Sequence, residues 1–369
     1  MIYLDNGATT LIKPVAVQQA VMEAMRSMAS PGRGGHPPAM LAAETVYTCR
    51  EEAAELFNVP QPEQVVFTMN ATHALNIAIS SLAKKGEKVV VSGFEHNSVT
   101  RPLYAIGAET VFAGKKLFDD NALLEDFDKK LKGAGLCVCT HVSNVFGYVL
   151  PIYEIARLCK RHSVPLIVDA SQSAGVLEVD MQRLNAEFIA MPGHKSLFGP
   201  QGTGILLCKN MGKPFMFGGS GSDSVPQHMP EYLPDGLEAG THNVCGIAGL
   251  LAGIRYVRSA GLDDILGHER MLLGLMTSEL SDSGAELFTG EGQSGVLSLR
   301  IPGMDCEQVA GELSERGICV RAGMHCAPTA HRSAGTIDTG TVRFSFSPFN
   351  DERQVKTACQ ALREIAAKS

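Results

Sequence analysis

The chain has little of what marks a nucleic-acid binder, a membrane protein or a disulfide-stapled secreted domain. Charged residues make up only 19% of its 369 residues, and no long run of Lys or Arg occurs. With 32 basic against 39 acidic residues the formal net charge is -7, so nothing points to nucleic acid or an anionic membrane as a partner. The Met-Ile-Tyr-Leu-Asp start shows no basic segment followed by an apolar run, and no signal peptide is expected. No stretch is apolar for long enough to span a bilayer. The ten cysteines stand singly apart from Cys137 and Cys139, which is not a disulfide framework, so free thiols in a reducing cytoplasm are expected. No Gly-x-Gly-x-x-Gly follows the first expected strand, which argues against a nicotinamide oxidoreductase. His325, Cys326 and His331 have no paired Cys motif beside them, and no metal is expected.

What is present is globular material. Hydrophobic residues reach 45%, and 369 residues exceed what one core usually covers, so two domains are expected. Apolar, β-rich runs at Val65–Thr68, Lys88–Ser92, Leu136–His141, Pro165–Asp169, Phe188–Met191 and Gly204–Cys208 alternate with helical periods such as Ala74–Leu82, Ala122–Lys130 and Ile152–Arg161. This alternation predicts an α/β fold with a mostly parallel sheet covered on both faces. After about Asn243 the pattern changes: helices at Gly246–Arg258 and Leu262–Leu280, a strand at Gly295–Ile301, a helix at Asp305–Arg316, strands at Ile318–Arg321 and Thr341–Phe346, and a last helix. A smaller α+β domain is expected there. The Gly218–Ser224 segment is a loop by composition.

Ligands in open α/β sheets lie beyond the carboxyl ends of the strands. Five expected strands are followed by chemistry-bearing groups: Ala71-Thr72, Glu95-His96, Ser143-Asn144, Asp169 with Gln172, and Gly193-His194-Lys195. Their convergence implies a site. Lys195 at a strand end can lose its charge by desolvation and form a Schiff base with an aldehyde; a lone lysine is more often a surface group. Asp169 suits a protonated pyridine nitrogen, or caps a following helix. Gln172 suits a phenolate oxygen, or completes a capping box. Thr72 at a helix start can hold a phosphate or serve as an ordinary cap. His96 can stack on a ring and move protons, or be a structural histidine. Downstream, Arg321-Ala322-Gly323-Met324-His325-Cys326-Ala327-Pro328 places a thiol in a Gly/Pro loop beside His and Arg, a setting that favours thiolate over the usual inert core cysteine. Arg343 can fork onto a substrate carboxylate or pair with an acid inside the fold. Cys137-x-Cys139 puts two thiols on one face of a strand, a packing arrangement. Gly199–Gly204 leads into a strand, so it is a turn and not a nucleotide loop.

In this order and spacing the chain resembles the class V aminotransferase family, and within it the cysteine desulfurases and selenocysteine lyases of the second group. The resemblance runs from Tyr3-Leu4-Asp5-Asn6-Gly7-Ala8-Thr9-Thr10 through Glu95-His96, His141–Asn144, Asp169–Gln172, His194-Lys195, Glu238–Thr241 and Arg321–Cys326 to Arg343 and Asn350. It implies a pyridoxal-phosphate (PLP) enzyme of fold-type I and a homodimer. Residues 15–255 would form the large PLP-binding domain, and 1–14 with 256–369 the small domain carrying the Cys326 loop. By the same resemblance Lys195 binds the aldehyde, Asp169 pairs with the ring nitrogen, His96 stacks on the ring, and Asn144 and Gln172 contact the cofactor. Ala71, Thr72 and His194 hold the phosphate with Thr241 of the partner subunit, and Arg343 binds the amino-acid carboxylate near Asn144 and Arg321. Arg33-Gly34-Gly35-His36 resembles the second group's Arg-Gly-x-His segment and adds His36 to the substrate-binding set. Cys326 would attack the sulfur of L-cysteine, or the selenium of L-selenocysteine, leaving alanine and a persulfide for an acceptor protein. An aminotransferase of the same fold, or a PLP-holding sulfur-relay scaffold, is the alternative. Three positions depart from the family pattern: Pro192 where a phosphate-binding Ser or Thr is common, Ala71 in place of the first of two threonines, and Met324 where a second His often stands.

Overall fold

The computed structural model describes residues 1–32 and 34–368. Its strands are β1 (Ile2–Tyr3), β2 (Val65–Thr68), β3 (Lys88–Ser92), β4 (Glu109–Ala113), β5 (Leu136–Thr140), β6 (Leu166–Asp169), β7 (Phe188–Pro192), β8 (Gly204–Cys208), β9 (Glu286–Phe288), β10 (Val296–Arg300), β11 (Ile318–Cys319), β12 (Arg321–Gly323) and β13 (Thr341–Ser345). A seven-stranded sheet runs β2-β8-β7-β6-β5-β3-β4, and only β8 opposes its neighbours. The expected mostly parallel sheet is therefore borne out.

Alternation along each strand divides the core. Phe67, Val90, Cys137, Cys139, Val168, Ile189 and Leu207 face one apolar layer, while Val66, Val91, Val138, Ile167, Ala190 and Leu206 face the other. Helices cover both faces, which is why these strands read as unbroken apolar runs. Each such fully buried Val, Ile or Leu contributes about 1.5–3 kcal/mol. Cys137, Cys139 and Cys159 pack together in the first layer. The Cys159 hydrogen bond and then burial raise the Cys137 thiol, and burial raises the Cys139 thiol, both well above their usual range, so they are packing residues as expected.

The edge strand β4 was not expected. Its Glu-Thr-Val-Phe-Ala sequence is half-exposed, so it lacks the dense apolar signal of its neighbours. A second sheet, β12-β13-β10-β9, packs on the helices Leu262–Glu279, Cys306–Glu315 and Glu352–Ala366 around Leu272, Leu299, Leu313, Phe344 and Leu362. The expected single strand Ile318–Arg321 is two strands: β11 pairs with β1 and β12 with β13, in different sheets. The helix Val244–Ala260 runs unbroken past residue 255 and lies against the turn after Lys195. There a Cβ on Gly253 would stand 2.1 Å from the Leu197 carbonyl, so only glycine permits the approach.

The strand order reverses between β3 and β5. From β3 the chain steps outward to β4; from β5 it steps the other way through β6 and β7. Since β2, β3, β5, β6 and β7 are parallel, their carboxyl ends share one edge, and the reversal opens a crevice there.

Candidate active site

The groups after these five strands do converge. A cavity of about 210 Å³ at the crevice is lined by Ala71, Thr72, His96, Asn144, Asp169, Gln172, His194 and Lys195, and by Arg321, His325 and Arg343 from the second sheet and its loops.

Lys195 leaves β7 through Gly193, where a Cβ would stand 2.2 Å from Thr203 Oγ1. The turn is tied down from below. Thr9, Thr10 and Lys13 all donate to the His194 carbonyl, and Lys13 Nζ also donates to Thr10 Oγ1 at 2.5 Å. Burial lowers Lys195 to about 8, opposed by the nearby Asp169 carboxylate. A group normally charged to pH 10.5 thus gains a reactive free-amine fraction near neutrality.

Asp169 is buried at the end of β6, and its Oδ1 accepts from the Ser171 N–H at 2.9 Å. No helix follows it, so both the helix-cap reading of Asp169 and the capping-box reading of Gln172 are excluded. Gln172 Nε2 donates instead to the Gly7 carbonyl at 3.0 Å. His96 caps the helix Asn97–Ile106: its Nδ1 accepts from the Ser98 N–H at 3.0 Å. The neutral ring therefore carries its proton on Nε2. Burial lowers His96 to about 4, with Lys195 and Arg321 adding to the effect against Asp169, and His194 also falls to about 4.

One end of the cavity is an anion cradle. The helix Ala71–Leu82 starts there, with Asn70 capping the His73 N–H. The N–H groups of Ala71 and Thr72 belong to the first turn and have no partner within the helix. Thr72 and Ser98 hydroxyls lie 2.8 Å apart beside them, and buried His194 Nδ1 has no partner among the described residues. An amine of lowered basicity, a buried carboxylate and a helix-start cradle within one cavity fit PLP's aldehyde, ring nitrogen and phosphate.

Arg343 is fully buried on β13. Its Nη2 pairs with Asp5 at 2.5 Å and its Nη1 donates to the Asn144 carbonyl at 2.9 Å, but Nε has no partner among the described residues. The internal ion pair weighed from the sequence is thus present, in a side chain that also lines the cavity. Asn144 Nδ2 in turn donates to the His325 carbonyl at 2.8 Å.

Cys326 itself is exposed and does not line the cavity. It sits beside it: Arg321 Nη2 is 3.8 Å from its Sγ, and its carbonyl accepts from the Asn97 N–H at 2.8 Å. His325 and Cys326 have φ of 49° and 56°, two successive left-handed residues that re-aim the loop. Behind them His325 Nε2 donates to the Arg321 carbonyl at 3.1 Å, so its Nδ1 accepts from His331 Nε2 at 3.4 Å. His331 Nδ1 then accepts from Thr336 Oγ1 at 2.8 Å. Burial lowers both histidines, which keeps this chain of bonds neutral. Among the described residues no cluster of His, Cys, Asp and Glu could hold a metal ion.

The class-V aminotransferase model matches residues 2–357. The chain belongs to that family. A relative from Pyrococcus abyssi described as a probable cysteine desulfurase is 32% identical, the match covering 99% of this chain and 94% of the relative. One from Methanothermobacter thermautotrophicus with the same description is 35% identical over 99% of this chain and 94% of its own. The apo structure of cysteine desulfurase from Thermococcus onnurineus NA1 superposes with a TM-score of 0.92 at 32% identity, covering 100% of this chain and 95% of that one.

Two further expected positions of this class-V chain, besides Cys326, lie outside its own cavity. His36 is exposed at the start of the helix Pro37–Leu56, and Thr241 is exposed on the segment before Val244. Arg33 lies outside the described residues. Ser98, Asp5, His331 and Thr336 were not expected at the site. Only Ser98 had a local signal, as the second residue after a histidine that opens a helix. Asp5 meets Arg343 across 338 residues of sequence.

Proposed function

We propose that the chain is a PLP-dependent cysteine desulfurase that converts L-cysteine to L-alanine and keeps the sulfur on Cys326. One observation carries this reading: the exposed thiol stands beside a cavity that holds a lysine of lowered basicity, a buried carboxylate and a phosphate cradle. The names and coverage of its relatives support it.

Lys195 would hold the cofactor's aldehyde carbon and Asp169 its ring nitrogen. His96, Asn144 and Gln172 would contact its ring, and Ala71, Thr72 and His194 would hold its phosphate. When bound, PLP supplies an electron sink for the substrate's α-carbon. The side chains perform the rest. Arg343 Nε and Arg321 hold the substrate carboxylate. Lys195 Nζ takes the α-proton. The Cys326 thiolate attacks the substrate sulfur: an S–S bond forms, the Cβ–S bond breaks, and its electron pair stays with carbon. Protonation of that carbon, and return of the α-proton from Lys195 Nζ to Cα, release alanine. His96 is neutral above about pH 4, so any proton it gives comes from Nε2 of the uncharged ring.

The same reading makes the protein a cytoplasmic homodimer, with all ten cysteines unpaired. Dimerisation would cover exposed Met25, Met40, Tyr47 and Phe217 and bring the partner's His36 and Thr241 to the cavity. Residues 15–255 form its large domain, and 1–14 with 256–369 the small one.

The test is alanine release by the PLP-loaded protein, with L-cysteine and L-selenocysteine offered in parallel. Release from L-cysteine should fall to background in Cys326→Ala. Release from selenocysteine alone would make the protein a selenocysteine lyase. Keto acid in place of alanine would make it an aminotransferase and sink the reading.

A further inference from the structure

Cys326 is the one exposed cysteine among the ten, and the surface around it is basic in a protein of net charge -7. Arg321 is already at its sulfur. Arg101 stands one helical turn beyond Asn97, whose N–H holds the Cys326 carbonyl, and its charge reaches His96. Lys115 and Arg332 line a separate cavity of about 310 Å³ with Gly93, Phe112, Thr329 and Ser333. It lies against the helix Pro328–Ala334, which continues directly from the Cys326 loop.

No carboxylate lines that cavity. Thr329 Oγ1 and Ser333 Oγ donate inward to the Glu95 and Gly93 carbonyls, so the donors left free are the two cations. Asp126, the acid that feels Lys115, is held by Lys130 at 2.8 Å. Among the described residues none of Arg101, Lys115, Arg321 and Arg332 has an ion-pair partner. Tyr104, on the same helix face as Arg101, is 88% exposed. Arg and Tyr are the side chains enriched at protein interfaces.

We propose that this basic collar is the docking surface of an acidic sulfur-acceptor protein, whose carboxylates flank its own thiol and one of which enters the Lys115–Arg332 cavity. The inference rests on the reading of Cys326 as the sulfur carrier. The transfer needs no external oxidant. The acceptor thiolate attacks the outer sulfur of the Cys326 persulfide, the new S–S bond forms on the acceptor, and Cys326 leaves as thiolate. The collar raises the local concentration of the anionic nucleophile and fixes its approach. It also separates acceptors by charge before any specific contact is made.

Two measurements test it on the full-length protein. The first needs no turnover: the rate of Cys326 alkylation by anionic iodoacetate relative to neutral iodoacetamide. The ratio should exceed that of a free thiol several-fold, fall with salt, and drop several-fold in Lys115→Glu/Arg332→Glu even with Arg321 still at the sulfur. A ratio equal to the free thiol's, or unchanged by the double variant, overturns the collar. The second uses the persulfide-loaded PLP enzyme and a decapeptide of glutamates around one cysteine, against the same peptide with glutamines. The acidic peptide should take sulfur roughly tenfold faster at low salt, and the double variant should abolish that preference without changing the glutamine peptide's rate. Equal rates overturn the proposal. So does 2-mercaptoethanesulfonate matching the acidic peptide, which would make the collar a small-anion site. A positive alkylation result with no transfer to any thiol would refute the sulfur-carrier reading and leave the collar standing.

Discussion

Lys195 is delivered by a central strand to a buried sheet edge and clamped from below by Thr9, Thr10 and Lys13. Cys326 stands in the open, on a loop that turns through two left-handed residues and is held by the His325–His331–Thr336 chain of hydrogen bonds. The difference follows from what each group must do. The amine's basicity is set by keeping water away, so it needs a fixed, enclosed environment. On the proposed reading the thiol meets two successive partners, substrate on one side and acceptor on the other, so it needs access and a fixed direction. Burial tunes the first, and backbone geometry with a neutral hydrogen-bond chain aims the second.

The largest effect expected is at the enclosed end. Lys195→Ala should lower alanine release by more than about 10²-fold with both L-cysteine and L-selenocysteine, since both reactions need the same proton moved. Normal turnover in that variant would remove the contrast altogether. The pH dependence sharpens it. Below its lowered pKa of about 8 Lys195 is protonated and unreactive; above it the free amine dominates. The rate at which the protein develops visible absorbance with added PLP should climb to about pH 8 and then level off. An unperturbed lysine would still be climbing at pH 10.

At the exposed end, His331→Ala should cost about 1–3 kcal/mol in denaturant-unfolding free energy, because it strips His325 Nδ1 of its donor inside the fold. It should also speed amide exchange across residues 321–327 and leave the PLP uptake profile unmoved. Equal disturbance of both would show that the two ends are one rigid unit. The smallest effect concerns the cradle. Pro192 ends β7 and lines the cavity without a hydroxyl or N–H. Pro192→Ser should tighten PLP binding by a few-fold, read as the PLP concentration that half-saturates the absorbance.

The enclosed end was far more legible in the sequence than the exposed one. Apolar runs gave the core strands close to their true limits, and one polar group after each gave Thr72, His96, Asn144, Asp169 and Lys195, because a parallel sheet turns strand ends into neighbours. The edge strand β4 was missed for lack of apolar residues. The split at Val320 was hidden because β11 and β12 are contiguous in sequence and differ only in their distant partners. The Asp5–Arg343 pair and the His331–Thr336 support depend on contacts between elements that no local spacing encodes. His36 and Thr241 stay outside the single chain's cavity, and no spacing along one chain says what a second copy would bring.

The positive φ at Cys326 has an evolutionary reading. An L-residue there is strained, and glycine would relax the loop by about 1 kcal/mol. A cysteine codon becomes a glycine codon by one base change. One of the single-base mutations open to this position would therefore remove the thiol while relaxing the fold. If Cys326 is the sulfur carrier as proposed, selection on chemistry alone, with no help from folding, keeps the cysteine in place.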